Sequence, residues 1–596
     1  MNPTPPPPPP PDTRTYHTFD RSTIPTWIYP TNYPIRGYQF NIVKKALFNN
    51  TLVALPTGLG KTLIAAVVMY NYYRWFPDSI MIFMAPTRPL VEQQIEACYK
   101  VCGIPQNQTE ILMGKTDAKK RAGLWASKRV FYATPQIVRN DIASGICPSH
   151  KIVLLVVDEA HRATGGYAYT EVIQKLARIH SHYRILALSA TPGSRLEQVQ
   201  SVVTNLRINN IEIRTEDSMD VQEFNFGKKI QRIVIRLDYT AGATGVVPQT
   251  ARTFCEQLFI PVLERLKKRQ FIPDAQPERW SPYALLSNQR LYQATAKNVP
   301  QAVKNMVFQD FSIAHSFSRA YENLCTYGIG SFVETVEGIL QGFREKINGG
   351  KNLSKEQYKL LNHIGLNQLL DRLRQQMESP SFVSHPKLDN LTSIIIRHLT
   401  DYDDDNNSTT SSTRIIIFSS LRNSVEMITK HLSTHKPLIR CAPFIGQGSD
   451  KGGGKGMNQK EQHETIQKLK KGEINVIVAT SIGEEGLDIG EVDLIVCYDS
   501  QSSPIRMLQR MGRTGRKRQG HCVMLMTEQE ERKYNNANDT YKRVQRQISD
   551  RNSIQYYENC PSFYNESILT LLRICHQRFW VEKENDKVMI STKMGL

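Results

Sequence analysis

Cysteine is scarce in this sequence: ten in 596 residues, with no Cys-x-x-Cys pair. That excludes a disulfide-stapled secreted scaffold and the usual zinc-module spacings, and points to a reduced, intracellular, soluble protein. Cys98 and Cys102 are the closest pair and fit one helix face as well as a metal site. Long apolar runs are missing too. The longest, such as Leu63–Tyr70 and Ile152–Val157, fall well short of the roughly 18 residues that a membrane-spanning helix needs. The N-terminal residues are prolines where a secretory leader has a basic segment and an apolar core, so no such leader is expected. Acidic residues are in deficit: 56 Asp plus Glu against 75 Lys plus Arg leave a formal charge of +19. That surplus favours a polyanionic partner, nucleic acid or an anionic membrane. What is present is ample apolar content, 40% of the chain, which excludes global disorder. At roughly 150 residues per domain, the length predicts about four units.

Composition shifts divide the chain. Residues 1–23 form a proline-rich leader, with the unbroken run Pro5–Pro11 predicting an extended polyproline segment outside any core. From 24 to 238, β-branched or apolar runs (Thr51–Leu55, Ile80–Ala85, Val130–Ala133, Ile152–Val157, Ile185–Leu188) alternate with helical patterns. Strands spaced by helices predict a parallel sheet covered on both faces. Residues 239–385 read as a helical insertion, with helices predicted over Phe254–Arg269, Ser287–Thr295, Gln301–Gln341 and Lys355–Met377. A second strand–helix alternation fills 386–547, with strands predicted at Arg414–Phe418, Asn475–Ala479, Leu494–Cys497 and His521–Leu525. The acidic Asp401–Thr413 and the glycine-rich Lys451–Gly456 read as surface loops. Residues 548–596 are a tail without an assignment. The fold class expected is α/β, with two parallel-sheet domains and an all-α domain inserted between them.

Leu55-Pro56-Thr57-Gly58-Leu59-Gly60-Lys61-Thr62 follows a strand-like run and opens a helix-like one. Glycines let successive backbone N–H groups converge on phosphate oxygens, and the helix N-terminus adds partial positive charge. Lys61 is placed to reach the β- and γ-phosphates, and the Thr62 hydroxyl to ligate Mg²⁺. Leu55 stands where the pattern usually has its first glycine. Further on, the apolar run Ile152–Val157 delivers Asp158-Glu159-Ala160-His161. Asp158 is expected to hold the Mg²⁺ shell and Glu159 to polarise the attacking water. Ser189-Ala190-Thr191 ends another strand. Gln509-Arg510-Met511-Gly512-Arg513-Thr514-Gly515-Arg516 spaces arginines three apart. The planar guanidinium neutralises charge building on a transferred phosphoryl group.

Taken in order, Gln39, Gly58–Thr62, Pro86–Leu90, Thr134-Pro135-Gln136, Asp158–His161, Ser189–Thr191, Ala479–Ile489 and Gln509–Arg516 resemble the motif series of superfamily 2 helicases. The resemblance covers both α/β blocks and implies RecA-like motor domains with ATP and Mg²⁺ between them. It implies that Gln39 reads adenine and Asp488 sits beside the ribose, while Gln509, Arg513 and Arg516 complete the ATP site from the second domain. It further implies that His161, Ser189 and Thr191 link hydrolysis to strand movement, and that Thr87, Arg88, Thr134 and Thr480 touch the nucleic-acid backbone. Tyr29–Arg36, Ala46-Leu47-Phe48, Asp158–Tyr169, Gly446-Gln447, Gln459–Gln462 and Ile482–Ile489 resemble, more narrowly, the Fanconi anaemia group M family of DEAH-box DNA helicases. That implies a nuclear 3′-to-5′ DNA translocase that remodels forks and displacement loops in repair. Its partners would be branched or forked DNA, held by backbone contacts, and proteins of a repair complex, with no membrane. Glu531-Arg532-Lys533 matches part of a nuclease signature seen in some members. No Gly-Asp strand end precedes it, so it reads as a helix-surface charge cluster. Two alternatives stay open: an RNA-directed superfamily 2 helicase, like the double-stranded-RNA sensors, and a non-catalytic branched-DNA scaffold.

The insertion carries no chemical motif, but Arg265, Lys267, Lys268 and Arg269 crowd one helical turn. Lying between two motors, Lys267, Lys268 and Arg269 are expected to grip phosphates of a duplex arm.

Overall fold

The computed structural model describes residues 17–24, 26–114, 116–224, 227–237, 245–296, 299–350, 352–379, 382, 384–405, 413–446, 456–483, 489–490, 492–500, 503–512, 514, 519–549, 553–558, 577–584 and 587–594. The proline run, residues 406–412 of the acidic stretch and residues 451–455 of the glycine-rich one lie outside these.

After a short strand β1 (Thr26–Pro30) comes a sheet of seven parallel strands: β2 (Thr51–Ala54), β3 (Ile80–Met84), β4 (Thr109–Leu112), β5 (Val130–Ala133), β6 (Ile152–Val157), β7 (Arg184–Ser189) and β8 (Asn210–Ile213). Their order is β4-β5-β3-β6-β7-β2-β8. The central strand β6 is apolar throughout because both of its faces are covered. Leu154 and Val156 join one core cluster, while Leu155 and Val157 join the other, the alternation a pleated strand imposes.

Strand β9 (Lys228–Ile235) leaves this sheet and pairs in parallel with β14 (Gly520–Thr527) of a second one. The block expected to run to 238 therefore contributes its last strand to the other sheet. The half-exposed run Lys-Lys-Ile-Gln-Arg-Ile-Val-Ile suits an edge position, and nothing local marks which sheet it joins. The second sheet also contains β10 (Ile415–Phe418), β11 (Cys441–Phe444), β12 (Val476–Ala479) and β13 (Leu494–Cys497), in the order β11-β12-β10-β13-β14-β9. Strands β4, β8 and β11 were not expected from the sequence; each lies at an edge, where burial does not impose a continuous apolar run. Near the C-terminus, β15 (Gln577–Glu584) and β16 (Lys587–Met594) form an antiparallel hairpin, and β16 also pairs with β1.

Between β9 and β10 the chain is helical, around a separate core in which the Phe254 ring lies 5.0 Å from Phe332 and 5.3 Å from Phe317. The pattern expected as one helix over Gln301–Gln341 breaks at Gly328 into Gln301–Tyr327 and Ile329–Asn348. Gly328 has φ +93°, and a Cβ there would lie 2.3 Å from the Ser384 carbonyl oxygen. Only glycine combines that backbone with that approach. The Lys355–Met377 pattern likewise divides, at Asn362-His363.

From β14 the helix Glu528–Ser549 carries the chain back to the first α/β domain. Its start is fixed by a reciprocal cap: the Thr527 amide donates to Glu530 Oε2 at 2.8 Å, and the Glu530 amide donates to Thr527 Oγ1 at 3.4 Å. The buried Lys387 ammonium lies 2.6 Å from the same carboxylate. At the far end Val544, Ile548 and, just beyond it, Ile554 enter the core of the first α/β domain, and the Tyr557 amide donates to the Ile208 carbonyl. The start of the unassigned tail is thus docked structure. Glu531-Arg532-Lys533 lies on this helix, where Lys533 pairs with Glu322 of the insertion. Among the described residues no helix is long and apolar enough to cross a membrane.

Gly328→Ala is expected to cost about 1–3 kcal/mol in backbone strain alone, with the clash added. Gly338→Ala, where a Cβ meets nothing within 4 Å, should be neutral or stabilising by up to about 1 kcal/mol. Thermal unfolding of the two variants side by side checks the contrast.

Candidate active site

Parallel strands deliver their following loops to one edge of a sheet, and the candidate residues gather there. Beyond β2, Gly58 (φ +89°) and Gly60 (φ +84°) take left-handed conformations, turning the chain into the helix Lys61–Trp75. A Cβ at Gly60 would lie 2.1 Å from Gln39 Nε2. Leu55, at the position where a glycine was expected, is fully buried and has no positive φ. Its amide donates to the Ser189 carbonyl at 3.0 Å, so the loop starts as extended backbone that tolerates a side chain. The Leu59 carbonyl accepts from Tyr38 Oη at 2.9 Å and from Gln39 Nε2 at 3.0 Å. Lys61 Nζ donates to the carbonyls of Leu55 and Pro56.

Asp158 follows β6 and is 6% exposed. Its Oδ1 accepts from the Glu159 amide at 3.0 Å, and its carbonyl from Tyr169 Oη at 2.7 Å. Burial, and then the negative charge of Asp158, raise the Tyr169 pKa well above that of a free phenol, which keeps it a donor. Thr62 Oγ1 donates to Gln94 Oε1 at 3.0 Å, and Gln94 Nε2 donates to Asp158 Oδ2 at 3.5 Å. One amide thus ties the phosphate-loop threonine to the strand-end aspartate. Glu159 is one of three non-glycine residues with positive φ among those described, at +49°; such strain gathers at functional sites. His161 Nδ1 lies 3.4 Å from Glu159 Oε2 and 3.1 Å from Ser189 Oγ. The Ser189 hydroxyl in turn donates to the Thr191 carbonyl. Glu159, His161, Ser189 and Thr191 therefore form one connected path.

The second motor faces this loop through the helix Pro504–Met511. Gln509 is 4% exposed, and a Cβ at Gly512 would lie 2.6 Å from Thr57 Cβ. The expected Asp488, Arg513 and Arg516 lie outside the described residues. The site fits a nucleotide triphosphate. Gln39 Oε1, Thr191 Oγ1 and both amide atoms of Gln509 are buried without a hydrogen-bond partner, and buried polar groups ordinarily have one.

Thr87 and Arg88 stand at the start of the helix after β3, and Thr134 at the N-terminal boundary of the helix after β5. The strand order sets β3 and β5 on the far side of β6 from β7 and β2, so these residues share the edge but not the nucleotide end. Thr480 follows β12 on the second sheet.

Residues 36–199 match the DEAD/DEAH box helicase family, and residues 387–518 match the helicase conserved C-terminal domain. The chain is 41% identical over 97% of its length to the ATP-dependent DNA helicase fml1 of Schizosaccharomyces pombe, and covers 67% of that protein. It belongs to the Fml1/Mph1 family of DNA helicases, as the motif resemblance to the Fanconi anaemia group M family implied. It is also 45% identical to the ATP-dependent DNA helicase mph1 of Sclerotinia sclerotiorum, over 90% of this chain and 43% of that protein. With that of Pyricularia oryzae it shares 42% identity, over 92% and 48%. The chain thus spans about half the length of these two Mph1 relatives. Among solved structures, the helicase domain of Pyrococcus furiosus Hef matches with a TM-score of 0.60 and 28% identity, over 85% of this chain and 98% of that one.

Within this family member the insertion's basic turn is partly occupied. Arg265 and Arg269 both bind Asp310, at 2.9 and 2.7 Å, and that carboxylate is almost fully buried. Arg269 is therefore a brace between two helices. Lys267, 3.5 Å from Glu264, and Lys268 are the exposed members of the expected trio. Sequence reasoning also missed Gln94 and Tyr38. Gln94 lies 64 residues from Asp158 in sequence, and a lone glutamine in an amphipathic helix carries no signal.

Gln94→Ala is expected to lower ATP turnover about 10–100-fold, the usual cost of losing a group that orients a ligand-binding side chain. Steady-state ATPase rates check this, and Gln94→Glu tests whether shape without the amide suffices.

Proposed function

We propose that the chain is the motor of an ATP-driven DNA translocase, moving 3′ to 5′ and remodelling forks and displacement loops during repair in the nucleus. The observation that carries this reading is the connected path from Asp158-Glu159 through His161 to Ser189 and Thr191, set against a second motor that touches the phosphate loop. The relatives' names as DNA helicases support DNA over RNA as the track, and the assembled ATP residues argue against a non-catalytic scaffold.

ATP supplies the free energy, and Mg²⁺ supplies charge neutralisation at its phosphates. Thr62 and Asp158 offer the hard oxygen donors such an ion takes, held in register by Gln94. Backbone amides of Gly58–Thr62 and the helix N-terminus cradle the phosphates, while Lys61 neutralises them. Glu159 orients the attacking water, and Gln39 reads the adenine edge. Gln509, Arg513 and Arg516 complete the site from the second motor, beside the ribose contact of Asp488. Because Thr87, Arg88 and Thr134 belong to one motor and Thr480 to the other, closing and opening the cleft changes the spacing of their backbone contacts, which is a step. Lys267 and Lys268 add phosphate contacts from the insertion to a duplex arm, and repair proteins would join through surfaces elsewhere.

Lys61→Ala and Glu159→Gln are expected to abolish ATP turnover with DNA affinity largely kept; near-normal turnover in either removes the site assignment. Affinity for forked DNA should fall on the order of 10³-fold between 50 and 200 mM salt if about six phosphates are neutralised. Replacing Lys267 and Lys268 together by glutamine should flatten that slope for forks more than for single strands, as read by fluorescence anisotropy.

A further inference from the structure

Where the helical insertion passes into the second motor, just before the helix Pro386–Asp405, the joint is tightly built. His385 Nε2 donates to the Cys325 carbonyl at 2.9 Å, the Ile329 amide to the Ser384 carbonyl at 3.2 Å, and the Gly330 amide to Ser384 Oγ at 3.2 Å. At this joint Tyr327, the last residue of the long helix, donates its hydroxyl to Asp499 Oδ2 at 2.9 Å. Asp499 lies just beyond β13 and is 2% exposed. It also accepts from the Ser420 amide, from Ser420 Oγ at 2.9 Å, and from Arg510 Nη1 at 3.1 Å. Burial pushes this carboxyl up, but Arg510 and the Ser420 donors outweigh it and hold it below the usual carboxylate range. The Arg510 guanidinium is fully buried, 5.3 Å from the Phe418 ring centroid. Arg510 belongs to the helix that carries Gln509 and presses Gly512 on Thr57.

Among the described residues, a hydroxyl, a carboxylate and a guanidinium thus link the insertion to the helix whose end meets the phosphate loop. Asp499 already has Arg510 as its charge partner and the Ser420 amide and hydroxyl as donors, so its burial does not depend on Tyr327. The apolar ring of Tyr327 would fill the joint equally well as phenylalanine. What the hydroxyl adds is a directional bond that fixes the carboxylate's rotation, and with it the Arg510 fork.

We propose that Tyr327 is a positioning residue for the arginine segment: when the insertion engages DNA, it carries that load to the pose of helix Pro504–Met511 against the phosphate loop and so to ATP turnover. The proposal rests on the reading of the chain as a DNA-stimulated motor.

The test uses the full chain with Tyr327→Phe. ATPase kcat and KM are measured with Mg-ATP alone, with single-stranded DNA and with a forked duplex, alongside fork affinity by anisotropy and the melting midpoint. The expected result is a fall of about tenfold in fork-stimulated kcat, the scale of one directional bond to a charged group. The KM for ATP, the fork Kd and the melting midpoint stay within twofold or a degree or so. An unchanged fork-stimulated kcat overturns the proposal. So does an equal fractional loss without DNA, or a loss that tracks fork affinity or melting, because either is a structural effect. Combining Tyr327→Phe with Arg510→Lys should add little to the loss from Arg510→Lys alone, since both act on one chain of contacts; additive losses overturn it. If the unmutated chain's ATPase responds to no DNA, the DNA-motor reading itself fails, an outcome distinct from any behaviour of the variant.

Discussion

Parallel strands cannot be joined by tight turns; each pair needs a crossover, and the crossover helices cover both faces of the sheet. Polar side chains that must meet a ligand then have only the sheet ends left to them. Both motors obey this constraint. Gly58–Thr62 follows β2, Asp158 follows β6, Ser189 ends β7, Thr480 follows β12 and Asp499 follows β13. In the first sheet the strand order sets Gly58–Thr62 and Ser189 on one side of β6 and Thr87, Arg88 and Thr134 on the other, along the same edge.

Within that frame, three clusters of buried ion pairs among the described residues stand at joints. Asp499 with Arg510 secures the arginine helix, Lys387 with Glu530 the start of the helix Glu528–Ser549, and Asp310 with Arg265 and Arg269 two helices of the insertion. Desolvation offsets much of the attraction in such pairs, so their yield in stability is small. Their geometry is demanding, and each stands where a helix must meet another element in one orientation. The apolar cores supply the stability on either side.

The central strands and the phosphate loop were legible in the sequence because their environment writes a local pattern. Ile152–Val157 is apolar at every position since both its faces are buried, and Gly58 and Gly60 stand where φ is positive. The edge strands were not, because half-exposed residues keep no period, and Cys441–Phe444 even contains Pro443, tolerated only at an edge. The sheet to which Lys228–Ile235 belongs depends on a partner nearly 300 residues away. Gln94 and Tyr327 escaped for the same reason: their roles arise from contacts 64 and 172 residues distant. The basic turn at Arg265–Arg269 read as a free cluster because the sequence does not place Asp310 beneath it.

The helix Glu528–Ser549 has a mechanical consequence of its own. At 1.5 Å per residue its 22 residues span about 33 Å, rooted at Glu530 in one motor and buried at Val544 and Ile548 in the other. A helix resists stretching far more than bending at its ends. The two motors are therefore joined by a strut of constant length, and can swing about its anchors without separating along it. The distance between those anchors stays set by the helix whatever the angle between the two domains.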